Sequence, residues 1–176
     1  MPLWAFLIII KMAKEIKLTQ GKVAIVDDED FEYLNQFKWY ARKSRSQNYY
    51  AGRYFYIKKG VRIYISMHTD IIKPNKNLMI DHVNNNGLDN RRINLRLCIN
   101  SENMRNRNIY KNNSSGYKGV SFNKKSKKYY SYIRHNNLMY SLGFYIDPKD
   151  AAKAYNTAAI KFHGEFANLN KIDYND

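Results

Sequence analysis

The sequence predicts an α+β fold of short antiparallel strands with few helices, and three observations predict it. Val61, Ile63, Ile65 and Met67 alternate with Arg62, Tyr64 and Ser66, the period of a half-buried strand. Ala151, Ala154, Tyr155, Ala158, Ala159 and Phe162 recur at helical spacing and make one apolar face. Between these lie short apolar runs punctuated by Asn, Gly and Lys, the pattern of strands and turns. With 176 residues, the chain has room for one ordinary domain or two small ones.

Taken in order, Leu3 to Ile10 is nearly all apolar but too short to span a bilayer. It lacks the basic start and small-residue cleavage site of a signal peptide. Residues 1–13 are therefore read as an extension outside the fold, with Met12 as the natural start; a buried N-terminal strand is the alternative. Residues 14–67 form a small β-rich element. Val23 to Val26 is a β-branched strand, and Asp27 to Asp30 place negative charge at a helix start, which suits the helix dipole. Phe31, Leu34 and Phe37 continue at helical spacing. Strands are expected at Lys38 to Arg42, Tyr49 to Ile57 and Val61 to Met67, with Lys58-Lys59-Gly60 as a hairpin turn.

Residues 68–108 make a second unit. It holds a strand from Leu78 to Val83, an Asn/Gly-rich loop from Asn84 to Asn90, a strand from Asn94 to Ile99 and a short helix from Ser101, its expected N-cap. Residues 109–115 are a polar linker, with Lys111 to Gly116 its clearest stretch. In residues 116–171, strands are expected at Tyr117 to Phe122, Tyr129 to His135 and Leu138 to Phe144, followed by the alanine-rich helix. Asp147 caps that helix, Pro148 fits its first turn, and Gly164 sits where it ends.

Lys and Arg outnumber Asp and Glu by 30 to 15, a formal net charge of +15. On so short a chain this points to a polyanion, nucleic acid first. Sixteen tyrosines among the cations suit sugar-phosphate and base surfaces. The single cysteine, Cys98, excludes an internal disulfide, fits a reducing interior and reads as a small core residue.

The chemistry concentrates in LMIDHVNNNGLDNRRINLRLCINSENMRN, residues 78–106. Hydrolysing a phosphodiester needs a base for water and neutralisation of charge on the phosphate and the departing oxygen. A histidine supplies the base near neutral pH. Carboxylate and amide oxygens are the hard donors that Mg²⁺ takes. Asp81 and His82 place two such groups side by side at a strand end, although adjacent strand residues face opposite ways, so local bending is required for one shared site.

Asp81-His82, the stretch from Asn86 to Arg96, and Asn103 together resemble the HNH nuclease family in its phage-type homing endonuclease branch. The resemblance implies a ββα-metal core with His82 as general base. It implies Asp81 and Asn103 as ligands of a divalent ion, Mg²⁺ foremost and Mn²⁺ as the substitute. The resemblance further implies that Asn94 pins the loop and orients the histidine. His68 follows a strand as a histidine often does in that branch, although His68-Thr69-Asp70 departs from the usual sequence there. Arg91, Arg92 and Arg96 are candidates to hold the DNA backbone.

Lys118-Gly119-Val120, the strand through Tyr132 and Arg134, Leu142 to Tyr145, and residues 151–170 resemble an AP2 domain. The resemblance implies a three-stranded antiparallel sheet packed on one helix and laid in the major groove. Its DNA-facing positions fall on Lys118, Ser121, Asn123, Tyr132 and Arg134, and Lys124, Lys125, Lys127 and Lys128 form a basic loop over phosphate. The expected function is a metal-dependent DNA endonuclease whose tethered reader raises its effective concentration at a target. The partner is double-stranded DNA, with no membrane and no small-molecule substrate. The chain is expected to be a monomer inside the cell, encoded by a phage or mobile element. The rival is a DNA-binding regulator with a silent nuclease site.

Overall fold

The computed structural model describes residues 12–44, 48–107, 109 and 113–172. The fold is α+β, with small antiparallel sheets and few helices. The chain divides into two compact units, residues 1–98 and 99–176.

The N-terminal unit opens with the hairpin of β1 (Ala13–Lys17) and β2 (Val23–Asp27). Helix α1 (Asp28–Leu34) follows, with Asp28, Glu29 and Asp30 in its first turn, where its unpaired N–H groups favour negative charge. It ends on the buried Leu34, so Phe37 lies beyond it, under the guanidinium of Arg53 at 3.9 Å. Strands β3 (Tyr40–Lys43), β4 (Tyr49–Lys58) and β5 (Val61–Ser66) form one antiparallel sheet in that order. The expected strand through Met67 stops at Ser66. Met67 instead opens α2 (Met67–Ile72), because Met67 and Ile71, four residues apart, both bury, and Thr69 Oγ1 donates to Ser66 O at 2.7 Å. Strands β6 (Met79–His82) and β7 (Leu95–Cys98) make a two-stranded ribbon. Cys98 is buried, as a core residue should be.

One core joins these pieces. Ile16, Val26, Leu34, Trp39, Ala51, Met67 and Leu95 belong to a single buried cluster. The β-rich element and the β6–β7 ribbon thus share one interior and stabilise each other by burying common apolar surface.

The C-terminal unit contains α3 (Asn100–Arg105), β8 (Val120–Asn123), β9 (Lys128–His135), β10 (Leu138–Tyr145) and α4 (Pro148–His163). Helix α3 starts one residue before Ser101. Ile99 precedes it in extended backbone, and Glu102 Oε2 accepts from Ile99 N at 2.9 Å, so Ser101 is not the cap. Residues 110, 111 and 112 of the expected linker lie outside the described residues. Asn113 to Gly116 form a hydrogen-bonded turn in which Asn113 Oδ1 accepts from Ser115 N and Gly116 N. Strand β8 begins at Val120 rather than Tyr117, because Gly119 turns the chain with φ +71°. A Cβ there would lie 2.0 Å from Tyr155 Cδ2, so the position admits only glycine.

Strands β10, β9 and β8 form an antiparallel sheet in that order. Helix α4 packs on one face through Ala158, Ala159, Tyr155 and Ile133 in one cluster and Val120, Ala151 and Ala152 in another. The small alanines let helix and sheet approach closely, and Ser131 Oγ donates to Ala151 O at 2.8 Å. Asp147 Oδ1 accepts from Lys149 N at 2.7 Å, the expected N-cap bond. Among the described residues no helix is long and apolar enough to cross a membrane.

Candidate active site

The loop joining β6 to β7 is built from its asparagines. Asn94 Oδ1 accepts from Asn84 N at 2.9 Å, and Asn94 Nδ2 donates to Asp89 O at 2.7 Å. Asn94 is itself buried, so both bonds form away from water and fix the loop across its base. The far side of the loop is stitched to β2: Ile25 N donates to Leu88 O, and Asn90 N donates to Ile25 O. Gly87 passes so close to β4 that a Cβ would meet Tyr49 O and the Tyr50 ring at 2.5 Å. Asp89 takes Arg91 through both carboxylate oxygens, at 2.8 and 2.7 Å, which holds its carboxyl below the usual range.

This packing surrounds His82, which is 5% exposed. Its Nε2 lies 3.3 Å from Asn90 Oδ1. With an amide oxygen as acceptor, Nε2 carries the proton and Nδ1 the lone pair. Tyr50 and His68 close in edge-on, with ring centroids 5.6 and 5.1 Å away. Burial lowers the His82 pKa, opposed by the Asn90 bond and by the charges of Asp81 and Asp89. Burial, and then the neighbouring His82, push His68 down to about 4. Both rings are therefore neutral at pH 7. Two buried polar atoms here, His68 Nδ1 and Asn90 Nδ2, have no hydrogen-bond partner among the described residues, which marks the pocket as polar.

Asp81 lies beside His82 in the chain, yet the β6–β7 register stays regular through both, Asp81 opposite Arg96 and His82 opposite Leu95. No local bend turns the two side chains the same way within the ribbon, so they leave it on opposite sides. Asp81 Oδ2 accepts from Arg96 Nε and Nη2 at 2.9 and 2.6 Å. Arg92 spans to α1: its Nη2 donates to Asp30 Oδ1 at 2.6 Å, its Nε contacts Glu29, and its backbone N donates to Asp27 Oδ2 at 2.7 Å. All three arginines assigned to DNA phosphate thus have carboxylate partners inside the unit. Asp27, Glu29 and Asp30 are close enough to hold a cation, but Arg92 lies on all three and already fills that role.

Asn103 stands on α3, in the C-terminal unit, half-buried, with its backbone N donating to Ile99 O. Asp81 and Asn103 each carry an oxygen donor of the hard type that suits Mg²⁺.

On the C-terminal unit, Ser121, Tyr132 and Arg134 lie on the sheet face away from α4, since Ser131 and Ile133 of β9 point into its core. Tyr130 stacks on Tyr132 and lies against Phe144 on that face, at 5.6 and 4.9 Å between centroids. Lys124, Lys125, Lys127 and Lys128 are exposed at the β8–β9 turn, and Asn123 Oδ1 ties that turn by accepting from Lys125 N and Ser126 N. Lys118 departs from the group: its Nζ donates to the backbone oxygens of Arg105 and Arg107, and burial lowers its pKa to about 8. His163 Nε2 is 2.9 Å from Arg134 O, a structural contact.

Tyr50 and Asn90 were not among the expected site residues. Asn90 sits in a run of asparagines where no single one stands out. Tyr50 reaches the site only through the fold, 32 positions from His82 in the sequence.

No protein-family model matches the chain, and no solved structure matches it. Over 158 residues, 88% of this chain and 78% of the other, it is 28% identical to a protein of Acanthamoeba polyphaga mimivirus named an uncharacterized HNH endonuclease. The comparison reaches across both units, and the chain is therefore similar, over most of its length, to a protein named for nuclease chemistry.

Proposed function

We propose that this protein is a metal-dependent DNA endonuclease of the HNH homing type, aimed at its target by an AP2-type C-terminal domain. The observation that carries the reading is His82: buried, its pKa lowered by burial so that the neutral ring is favoured, and its Nε2 held 3.3 Å from Asn90 Oδ1. That is the state a general base needs before it takes a proton from water. Asn94, by fixing the loop, keeps Asn90 and hence the imidazole in place. The similarity to the mimivirus protein supports the same chemistry.

By the resemblance, Asp81 and Asn103 would hold a divalent ion, Mg²⁺ foremost with Mn²⁺ as the substitute; serving one site with His82 requires β6 to bend at its end, which its regular register does not show. Bound there, the ion would supply positive charge for the phosphate and the departing 3′ oxygen. Arg96 shares the Asp81 carboxylate and balances its charge. The sheet face with Ser121, Tyr132 and Arg134 offers polar and aromatic contacts to a groove, and the four-lysine turn offers contacts to phosphate.

The test is cleavage of supercoiled plasmid and phage DNA with Mg²⁺, beside His82→Ala and EDTA controls. Wild type nicks or linearises the DNA, while His82→Ala loses about 10²–10⁴ in rate and EDTA abolishes cutting. DNA that shifts in a gel but is never cut, across ions and targets, overturns the nuclease reading in favour of a silent regulator.

A further inference from the structure

Helix α3 has only six residues, too few to persist on propensity alone. Its last carbonyls have no partners within the helix and need donors from elsewhere. The C-terminal unit supplies them. Lys118 Nζ donates to Arg105 O and to Arg107 O, the second at 2.6 Å. Asn168 Nδ2 donates to Asn106 O at 2.8 Å and to Arg107 O at 3.1 Å. A cation at this end also meets the negative pole of the helix dipole.

Lys118 is held firmly enough to act as an anchor. Its backbone N donates to Asn170 Oδ1 at 2.7 Å, and its O accepts from Asn170 Nδ2 at 3.0 Å. Asn170 is in turn fixed to α4, through Asn156 Nδ2 to Asn170 O at 2.9 Å and Asn170 N to Asn156 Oδ1 at 2.8 Å. A continuous chain of hydrogen bonds therefore runs from α4 through Asn156, Asn170 and Lys118 to the end of α3.

We propose that Lys118 is a positioning residue: it pins α3, and with it Asn103, to the C-terminal unit, and it does not grip DNA. The pinning stands on these contacts alone; only its consequence for Asn103 rests on the nuclease reading. A side chain spent on two backbone carbonyls is not presented to phosphate. The sheet that reads DNA and the helix that carries Asn103 then move as one piece.

Two measurements on the full chain test this. In hydrogen exchange, Lys118→Met speeds exchange of the Asn103 and Asn106 amides at least about tenfold, while β9 and α4 keep their protection. Lys118→Arg, which keeps the cation, restores part of that protection. Asn168→Ala, which removes the two companion bonds, gives the same local pattern and serves if Lys118→Met does not fold. In the second measurement, DNA affinity in EDTA changes less than about threefold in Lys118→Met, while cleavage at saturating DNA falls toward that of Asn103→Ala. The double variant Lys118→Met/Asn103→Ala is then no slower than Asn103→Ala alone. Unchanged exchange in α3 overturns the proposal. So does a tenfold weaker DNA affinity with cleavage at saturation intact, which would make Lys118 a phosphate contact. If wild type proves inert as a nuclease, the functional reading fails, and exchange in α3 still decides whether Lys118 is the pin.

Discussion

In the N-terminal unit Arg53, Arg91, Arg92 and Arg96 each lie on a carboxylate, of Asp70, Asp89, Asp30 and Asp81 respectively. In the C-terminal unit Lys124, Lys125, Lys127 and Lys128 are exposed and form no ion pair among the described residues. Both sets are part of the same net positive charge, but they do different work. The arginines are forked donors matched to buried or half-buried carboxylates, and they hold loops and helices in register. The lysines are exposed, and in the function proposed above they meet phosphate. A formal charge of +15 therefore overstates the positive surface left unpaired, and the position of each cation decides its role.

The largest expected effect tests the lysines. Changing all four to Gln removes up to four phosphate contacts. At about 0.9 in log–log salt slope per contact, DNA affinity falls by up to about four thousandfold at 0.1 M salt and converges with wild type near 1 M. Fluorescence anisotropy across a salt series reads both values, and an unchanged slope would erase the contrast between the units.

Next comes the pH dependence of stability, which belongs to the N-terminal unit. The His68 pKa is lowered to about 4 from 6.5, so the unfolded chain takes up its proton first as the pH falls. Stability from this group is fully present above pH 6.5, declines between 6.5 and about 4, and levels off below, by at most about 3 kcal/mol. Thermal unfolding of wild type and His68→Gln from pH 7.5 to 4 checks it; equal slopes would show that His68 is not held neutral.

The smallest effect is the sharpest discriminator. Arg92→Gln loses the pairs to Asp30 and Glu29, which are partly exposed, and costs about 1 kcal/mol of stability. The salt slope of DNA binding stays where it was. A slope lower by about one would return Arg92 to the DNA surface.

Local signals carried much of the fold. Helix α4 was legible because its cap, proline, apolar stripe and terminal glycine all point the same way. The β6–β7 ribbon was legible from its flanking loop, and His82 from its place at the strand end. Distance in sequence hid the rest. Met67 continues the alternation of β5 yet begins α2, because the core rather than the pattern decides its place. The contact of Asn90 with His82, the closing ring of Tyr50 and the hold of Arg92 on α1 all join residues that no local window sees together. Lys118 looked like a strand residue on a DNA-facing sheet. Only the turn at Gly119 and the carbonyls of Arg105 and Arg107 reveal its other use.

The stitch between β2 and the β6–β7 loop also sets an order of events during synthesis. Asp27 leaves the ribosome 65 residues before Arg92, the partner whose backbone it accepts from. At about 5–20 residues per second, the outer edge of β2 waits about 3–13 s for Leu88 and Asn90 to emerge. For that interval the nascent chain carries a strand edge with its N–H and C=O groups unsatisfied, the kind of surface that pairs with another chain. The loop that frames the histidine is thus also the segment that closes this edge.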